Sequence, residues 1–231
     1  MPSKSYIFIA PTSPIYNRDI VPVFEKLNQE DSSLLYNSLY MNHFDILSRL
    51  NLYETVYFFD ERDKDFLPEC FLNDNITTHF VRTSNIWHGI KRIIAEKIHQ
   101  ESPNILVLFS NLIGITPADI VKYFNLLNHE DYNILAGRSG SEKIGLIGLN
   151  YFETRLFEDF SSCDISYNSF LQHTGKLNSF LITVNGIMTI ENFEHFRTLY
   201  KVLSKKESLE FCSHKIHEMF THLFIEYKEF L

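Results

Sequence analysis

Short runs of β-branched and aromatic residues alternate along this chain with longer stretches in which apolar residues recur every three or four positions. Ser5–Ala10, Thr55–Phe59, Thr78–Val81, Ile105–Phe109, Tyr132–Gly137, Ile144–Leu149 and Phe180–Val184 have the length and residue types of strands. Asp31 to Leu50 carries Leu34, Leu35, Leu39, Phe44, Ile46, Leu47 and Leu50 near helical spacing. Ile86 to Ile98 repeats Ile90, Ile93, Ile94 and Ile98 along one face. Parallel strands need crossovers, and helices supply them. The alternation therefore predicts a three-layer α/β/α sandwich around a mainly parallel central sheet. Only a short turn containing Gly and Ser separates Tyr132–Gly137 from Ile144–Leu149, which predicts a local antiparallel pair.

Thr116-Pro117-Ala118-Asp119 reads as a helix start: Thr116 caps, Pro117 suits the first helical position, and Asp119 reaches back to the cap. Ser110 to Ile115 then form the loop between strand and helix, at the carboxyl edge where open α/β sheets hold their working residues. No linker, repeat or low-complexity segment divides the chain. A single domain over residues 1–231 is expected, with a helical C-terminal extension over about 190–231. Phe211, Ile216, Phe220, Leu223 and Phe224 near the end fall at helical spacing and read as intramolecular core.

Charge and cysteine usage narrow the function classes. With 21 basic against 29 acidic side chains the net charge is −8, which argues against a nucleic-acid binder. Cys70, Cys163 and Cys212 are odd in number and widely spaced, so neither a zinc site nor a disulfide framework is expected, and a reducing, cytoplasmic setting is. No stretch approaches the roughly 20 apolar residues of a membrane span. His214, His217 and Glu218 read as a solvated helix face. Asp60 and Asp63 read as a charged surface loop, and Cys163 as a packed thiol. Ser110 lacks the Gly-x-Ser-x-Gly surroundings of a hydrolase nucleophile.

Three segments carry a family resemblance. LFSNLIGITPADIVKYFNLL is similar to a strand followed by Ser-Asp, Pro, Leu-Thr-Pro and a helix. ILAGRSGSEKIGLIGLN is similar to a strand, an Asp-Gly-Gly-Tyr turn and Leu-Ile-Gly-Leu, and ETRLFEDF follows with the expected Leu-Phe step. Together they resemble the bacterial nucleotide-diphospho-sugar-transferase-like family with the glycosyltransferase A fold, related to nucleotidyltransferases such as the phospholactate guanylyltransferases. The likeness runs from about Ser5 to Leu203 and is stronger in hydrophobic framework than in polar motif.

At the polar positions the chain departs from the family. Asn111 stands where the resemblance places an aspartate, and Ser141, Glu142 and Lys143 stand at Asp-Gly-Gly. Gly186 and Met188 replace the paired acids of a later Asp-Val-Asp-Thr-Pro-Glu-Asp segment. Of the family's N-terminal Lys-Thr-Arg phosphate loop, only Arg18 is left nearby. Such sites hold Mg²⁺ through carboxylates and neutralise phosphate with Lys or Arg. The resemblance thus implies a nucleotide-sugar or nucleotidyl transferase-like protein with degenerate motifs, weakly active or inactive. No metal ligand is assigned, and Mg or Mn with a nucleotide is expected only if activity is retained. The candidate ligand-binding residues are Arg18, Ser110, Asn111, Arg138, Ser139, Glu142 and Lys143, with a nucleotide or nucleotide-sugar as partner. The alternative is a non-catalytic pseudoenzyme that serves as a binding or assembly module, as a homodimer or with another protein.

Overall fold

The computed structural model describes residues 5–101, 104–151 and 153–231. Its elements in chain order are β1 (Ser5–Ala10), α1 (Gln29–Leu47), β2 (Glu54–Asp60), β3 (Thr77–Val81), α2 (Ile86–Glu101), β4 (Asn104–Phe109), β5 (Leu112–Ile113), α3 (Pro117–Leu127), β6 (Asn133–Ser139), β7 (Ile144–Leu149), α4 (Tyr167–Thr174), β8 (Phe180–Thr189), α5 (Phe193–Leu203) and α6 (His214–Glu226). The strands form one eight-stranded sheet in the order β3-β2-β1-β4-β7-β6-β8-β5. β1 pairs in parallel with both β2 and β4, β2 with β3, and β6 with β8. β7 runs antiparallel between β4 and β6, as the short turn predicts.

Alternate residues of the central strands feed two apolar layers. Tyr6, Phe8 and Ala10 join Val107, Phe109, Trp87 and Phe170 on one side of the sheet. Ile7 and Ile9 join Tyr40, Leu47, Phe124 and Leu127 on the other. That is the expected three-layer sandwich, and it explains why β4 is apolar at nearly every position. The C-terminal helices add a further cluster. Ile216, Phe220, Leu223 and Phe224 pack with Leu35 and Leu39 of α1 and with Phe193 and Phe196 of α5, so the apolar stripe of α6 is core.

Local chemistry sets several boundaries. Thr116 and Asp119 form the predicted capping box of α3, with Pro117 as its first residue. β8 extends to Thr189, beyond the predicted end at Val184. Gly186 sits at φ +81° where the β6–β8 register shifts, a bulge that lets the strand continue. β5 lies inside the segment read as loop and pairs antiparallel with Thr189 and Met188. A two-residue strand has no period of its own, so only its distant partner defines it. α4, capped by Ser166, also carries no signal that the apolar pattern exposes.

Asp60 and Asp63 overturn the surface-loop reading, since both are buried. Asp63 Oδ2 accepts from Ile15 N (2.9 Å), while Oδ1 accepts from Tyr16 N (2.9 Å) and Asn17 N (2.8 Å), which pins the loop after β1 to the end of β2. Burial raises the Asp63 carboxyl pKa, opposed by those three donors. Burial alone would also raise Asp60. The Arg62 guanidinium at 2.7 Å and the Thr83 hydroxyl and N–H overcome it and hold that carboxyl well below the usual range. Apart from Arg62, their partners come from distant segments, which local charge density cannot reveal.

His43 of α1 lies under the turn that follows β4. It is buried, bonds to the backbone of Phe109 and Leu112, and leaves Nε2 without a partner. Burial lowers its pKa to about 4, against the opposing effect of the two backbone bonds.

Replacing Asp63 by Ala strands three backbone donors, each costing roughly 1–3 kcal/mol when buried and unpaired, with part regained as the loop relaxes towards water. A loss of about 3 kcal/mol is expected from urea denaturation, and a smaller one for Asp63→Asn, which keeps one acceptor oxygen. Unchanged midpoints for Asp63→Ala would show that the carboxylate does not hold the loop.

His43 makes stability depend on pH with a defined sign. Between about pH 4, its folded value, and the ordinary 6.5, the unfolded chain binds a proton that the folded chain refuses. Stability therefore rises with pH through this window and is fully present above it. The contribution changes by about 2 kcal/mol between pH 5 and 7. A His43→Gln chain should show a correspondingly flatter profile in paired urea titrations, and equal profiles would refute the assignment.

Candidate functional site

The carboxyl ends of β1, β4 and β6 meet near the point where the strand order reverses between β1 and β4, the usual position of a ligand crevice in such sheets. Ser110 N donates to Ala10 O (2.8 Å), and Ser110 Oγ accepts from Thr12 N (2.9 Å) with Thr12 Oγ1 at 3.1 Å. The preceding residue, Pro11, presents its carbonyl to the Cys163 thiol at 3.8 Å. Asp164, next in sequence, pairs with Lys143 Nζ at 2.8 Å, and the same ammonium lies 3.3 Å from Glu191. Glu191 accepts from Thr189 Oγ1 (2.6 Å) and Ser141 Oγ (3.0 Å), and Ile190 N donates to Asn111 O (2.9 Å). These contacts close a ring through Ser110, Thr12, Asp164, Lys143, Glu191 and Asn111. The overshoot of β8 past the end of β6 makes the ring, because it carries Thr189 and Glu191 up to the turn after β6.

That turn is built tightly. Ser139 N donates to Lys143 O (2.8 Å), Glu142 N to Ser139 O (3.2 Å), and the Ser139 and Ser141 hydroxyls lie 2.8 Å apart. Glu142 has φ +61°, a left-handed conformation that favours glycine, and it stands where the family resemblance places the first glycine of Asp-Gly-Gly. The backbone here takes a conformation that glycine adopts most readily, although the residue is a glutamate.

The sequence candidates separate into three groups. Ser110, Asn111, Ser139 and Lys143 come together at the ring. Arg138 and Glu142 pair with each other instead, and the Arg138 guanidinium sits 4.8 Å above the Tyr167 ring. Arg18 lies apart, 3.6 Å from Glu30, at a cavity of about 470 Å³ also lined by Tyr16, Asn37, Phe66 and His222. Met188 packs against the apolar cluster of α1, α5 and α6. Thr12, Asp164 and Glu191 are ring residues that pattern reading missed. Glu191 lay within reach, since it falls at the glutamate of the family's Thr-Pro-Glu stretch. Asp164 has no local signal.

Electrostatically, the ring is organised around one cation. The Asp164 carboxylate, and then Glu191, raise the Lys143 pKa, so the ammonium stays charged. Glu191 is mostly buried, whereas Asp164 is 70% exposed at its side chain. Asn111 presents a neutral amide whose Oδ1 is buried without a partner. A hard divalent ion prefers several anionic oxygens. Here the two carboxylates of the ring are committed to an ammonium and the third position is an amide. Among the described residues no group of three His, Cys, Asp or Glu side chains is placed to hold a metal ion. These residues do not fit the Mg²⁺ or Mn²⁺ that the family resemblance implies.

The turn allows a direct test of its strain. Glu142→Ala keeps the left-handed cost and loses the bond to Arg138, whereas Glu142→Gly removes the cost. The glycine chain should be more stable than the alanine chain by roughly 1 kcal/mol in urea denaturation. The reverse order would show that residue 142 is not held left-handed.

No protein-family model matches the sequence, and no curated protein matches it. Solved structures do match. A candidate nucleotide-diphospho-sugar transferase from Desulfovibrio desulfuricans G20 is similar over 99% of this chain and 98% of its own, with a TM-score of 0.76 at 15% identity. A 4-diphosphocytidyl-2C-methyl-D-erythritol synthase from Anaerococcus prevotii DSM 20548 covers 87% of this chain and 97% of its own, with a TM-score of 0.56 at 12% identity. The manganese complex of Rv0371C from Mycobacterium tuberculosis H37Rv covers 86% and 99%, with a TM-score of 0.50 at 7% identity. These likenesses give this chain, with its eight-stranded sheet flanked by helices, the fold of the nucleotide-diphospho-sugar transferases.

Proposed function

We propose that this chain is a nucleotide-sugar or nucleotidyl transferase-like protein that binds a nucleotide or nucleotide-sugar at the carboxyl-edge ring and has lost metal-assisted transfer, leaving it weakly active or inactive. The observation that carries this reading is the Lys143 ammonium lodged between Asp164 and Glu191, beside Asn111. An enzyme of this class needs several anionic oxygens around a metal ion there, and here an ammonium lies between the two carboxylates and the third position is an amide. Support for nucleotide binding comes from the fold and from the names of the similar structures, a nucleotide-diphospho-sugar transferase and a diphosphocytidyl synthase.

The apolar stripe of α6 packs inside the molecule and so does not itself offer a surface for the alternative, an assembly module. Cys70, Cys163 and Cys212 carry free thiols, which accords with a reducing compartment such as the cytoplasm.

A thermal-shift panel of nucleotides and nucleotide-sugars, each with and without Mg²⁺ or Mn²⁺, tests the reading. At a hundredfold excess over Kd, a ligand stabilises by about 2.7 kcal/mol, a rise of roughly 5–10 °C for a chain of this size. Saturable stabilisation by a nucleotide, equal with and without metal, is expected, together with negligible Mn²⁺ heats by calorimetry. A flat response across the whole panel would defeat nucleotide binding, and strictly metal-dependent stabilisation would defeat the loss of the metal site.

A further inference from the structure

We infer that Lys143 is the anion-binding group of the ring, that it accepts a phosphate or pyrophosphate group directly without a metal ion, and that Asp164 occupies the seat of that group until the ligand displaces it. The inference rests on the proposed nucleotide reading and deepens it by naming the group that is bound and the residue that binds it.

The two carboxylates that hold Lys143 differ in kind. Glu191 is mostly buried, receives the Thr189 and Ser141 hydroxyls, and approaches the ammonium at 3.3 Å. It is fixed by its surroundings and fixes the lysine in turn. Asp164 makes the shorter contact, 2.8 Å, yet its side chain is 70% exposed. An exposed ion pair is worth little, because water screens it and two side chains must be ordered to make it. A phosphate oxygen offers the same charge-assisted hydrogen bond with more negative charge behind it, so the exchange of Asp164 for a ligand phosphate is favourable. Glu191 remains in place and keeps the ammonium aimed at the vacated position.

The surroundings suit the same ligand. The Thr12 and Ser110 hydroxyls, 3.1 Å apart, belong to the same ring of contacts and can donate to an anion. Arg138, another cation near this turn, pairs with Glu142 and lies over the Tyr167 ring, outside the ring of contacts to which Lys143 belongs.

The test is calorimetric titration of inorganic pyrophosphate and of a nucleoside diphosphate in EDTA, using wild type, Asp164→Asn and Lys143→Gln. Removing the internal competitor should tighten pyrophosphate binding in Asp164→Asn by about threefold to tenfold. Lys143→Gln should lose it by more than about tenfold. A gain of affinity cannot come from misfolding, so the Asp164→Asn arm decides even if Lys143→Gln folds poorly. If the diphosphate still binds all three proteins with equal affinity, the nucleotide reading stands and the assignment of Lys143 and Asp164 is overturned. If pyrophosphate binds none of them, the assignment is overturned as well, and a silent nucleoside diphosphate alongside the flat panel defeats the nucleotide reading too. Binding that appears only when Mg²⁺ replaces EDTA also overturns it.

Discussion

β1 and β4, at the centre of the sheet, are buried on both faces, and from this constraint most of the molecule follows. Strands in that position can carry almost no polar side chains along their length. Their neighbours must be covered by helices on each side, which α2 and α4 provide on one face and α1 and α3 on the other. Polar chemistry is thereby driven to the strand ends. The ring from Ser110 to Asn111 forms at the carboxyl edge because the framework excludes it elsewhere.

Loops at that edge are ordered by buried polar groups. Asp63 gathers three backbone donors of the β1 loop, Asp60 ties Arg62 to Thr83, and His43 supports the turn after β4 from below. The high aromatic content has a corresponding place. Tyr16, Tyr40, Tyr57, Phe59 and Phe71 interlock beneath the same loops, with Tyr40 and Phe59 ring centres 4.9 Å apart and the Tyr40 hydroxyl donating to Phe58 O.

At the turn after β6, Glu142 holds a left-handed backbone and Lys143 takes two carboxylates as partners. Backbone geometry is held by many hydrogen bonds acting together, whereas each side chain at the edge depends on few partners.

Periodicity in the sequence determined the three-layer architecture, the β6–β7 hairpin, the capping box of α3 and the buried stripe of α6, since each rests on contacts between near neighbours or on burial common to a whole element. Residue type placed Asn111, Ser139 and Lys143 at one edge. What only the tertiary structure decided is which charges meet. Asp60 and Asp63 read as solvent-exposed until their partners at Thr83 and Ile15 are brought to them. Arg138 and Lys143 look equivalent in sequence, yet one turns to Glu142 and the other to Asp164 and Glu191. β5 exists only because β8 passes beside it. Burial is a property of a stretch and leaves a period behind, but an ion pair between distant segments leaves none.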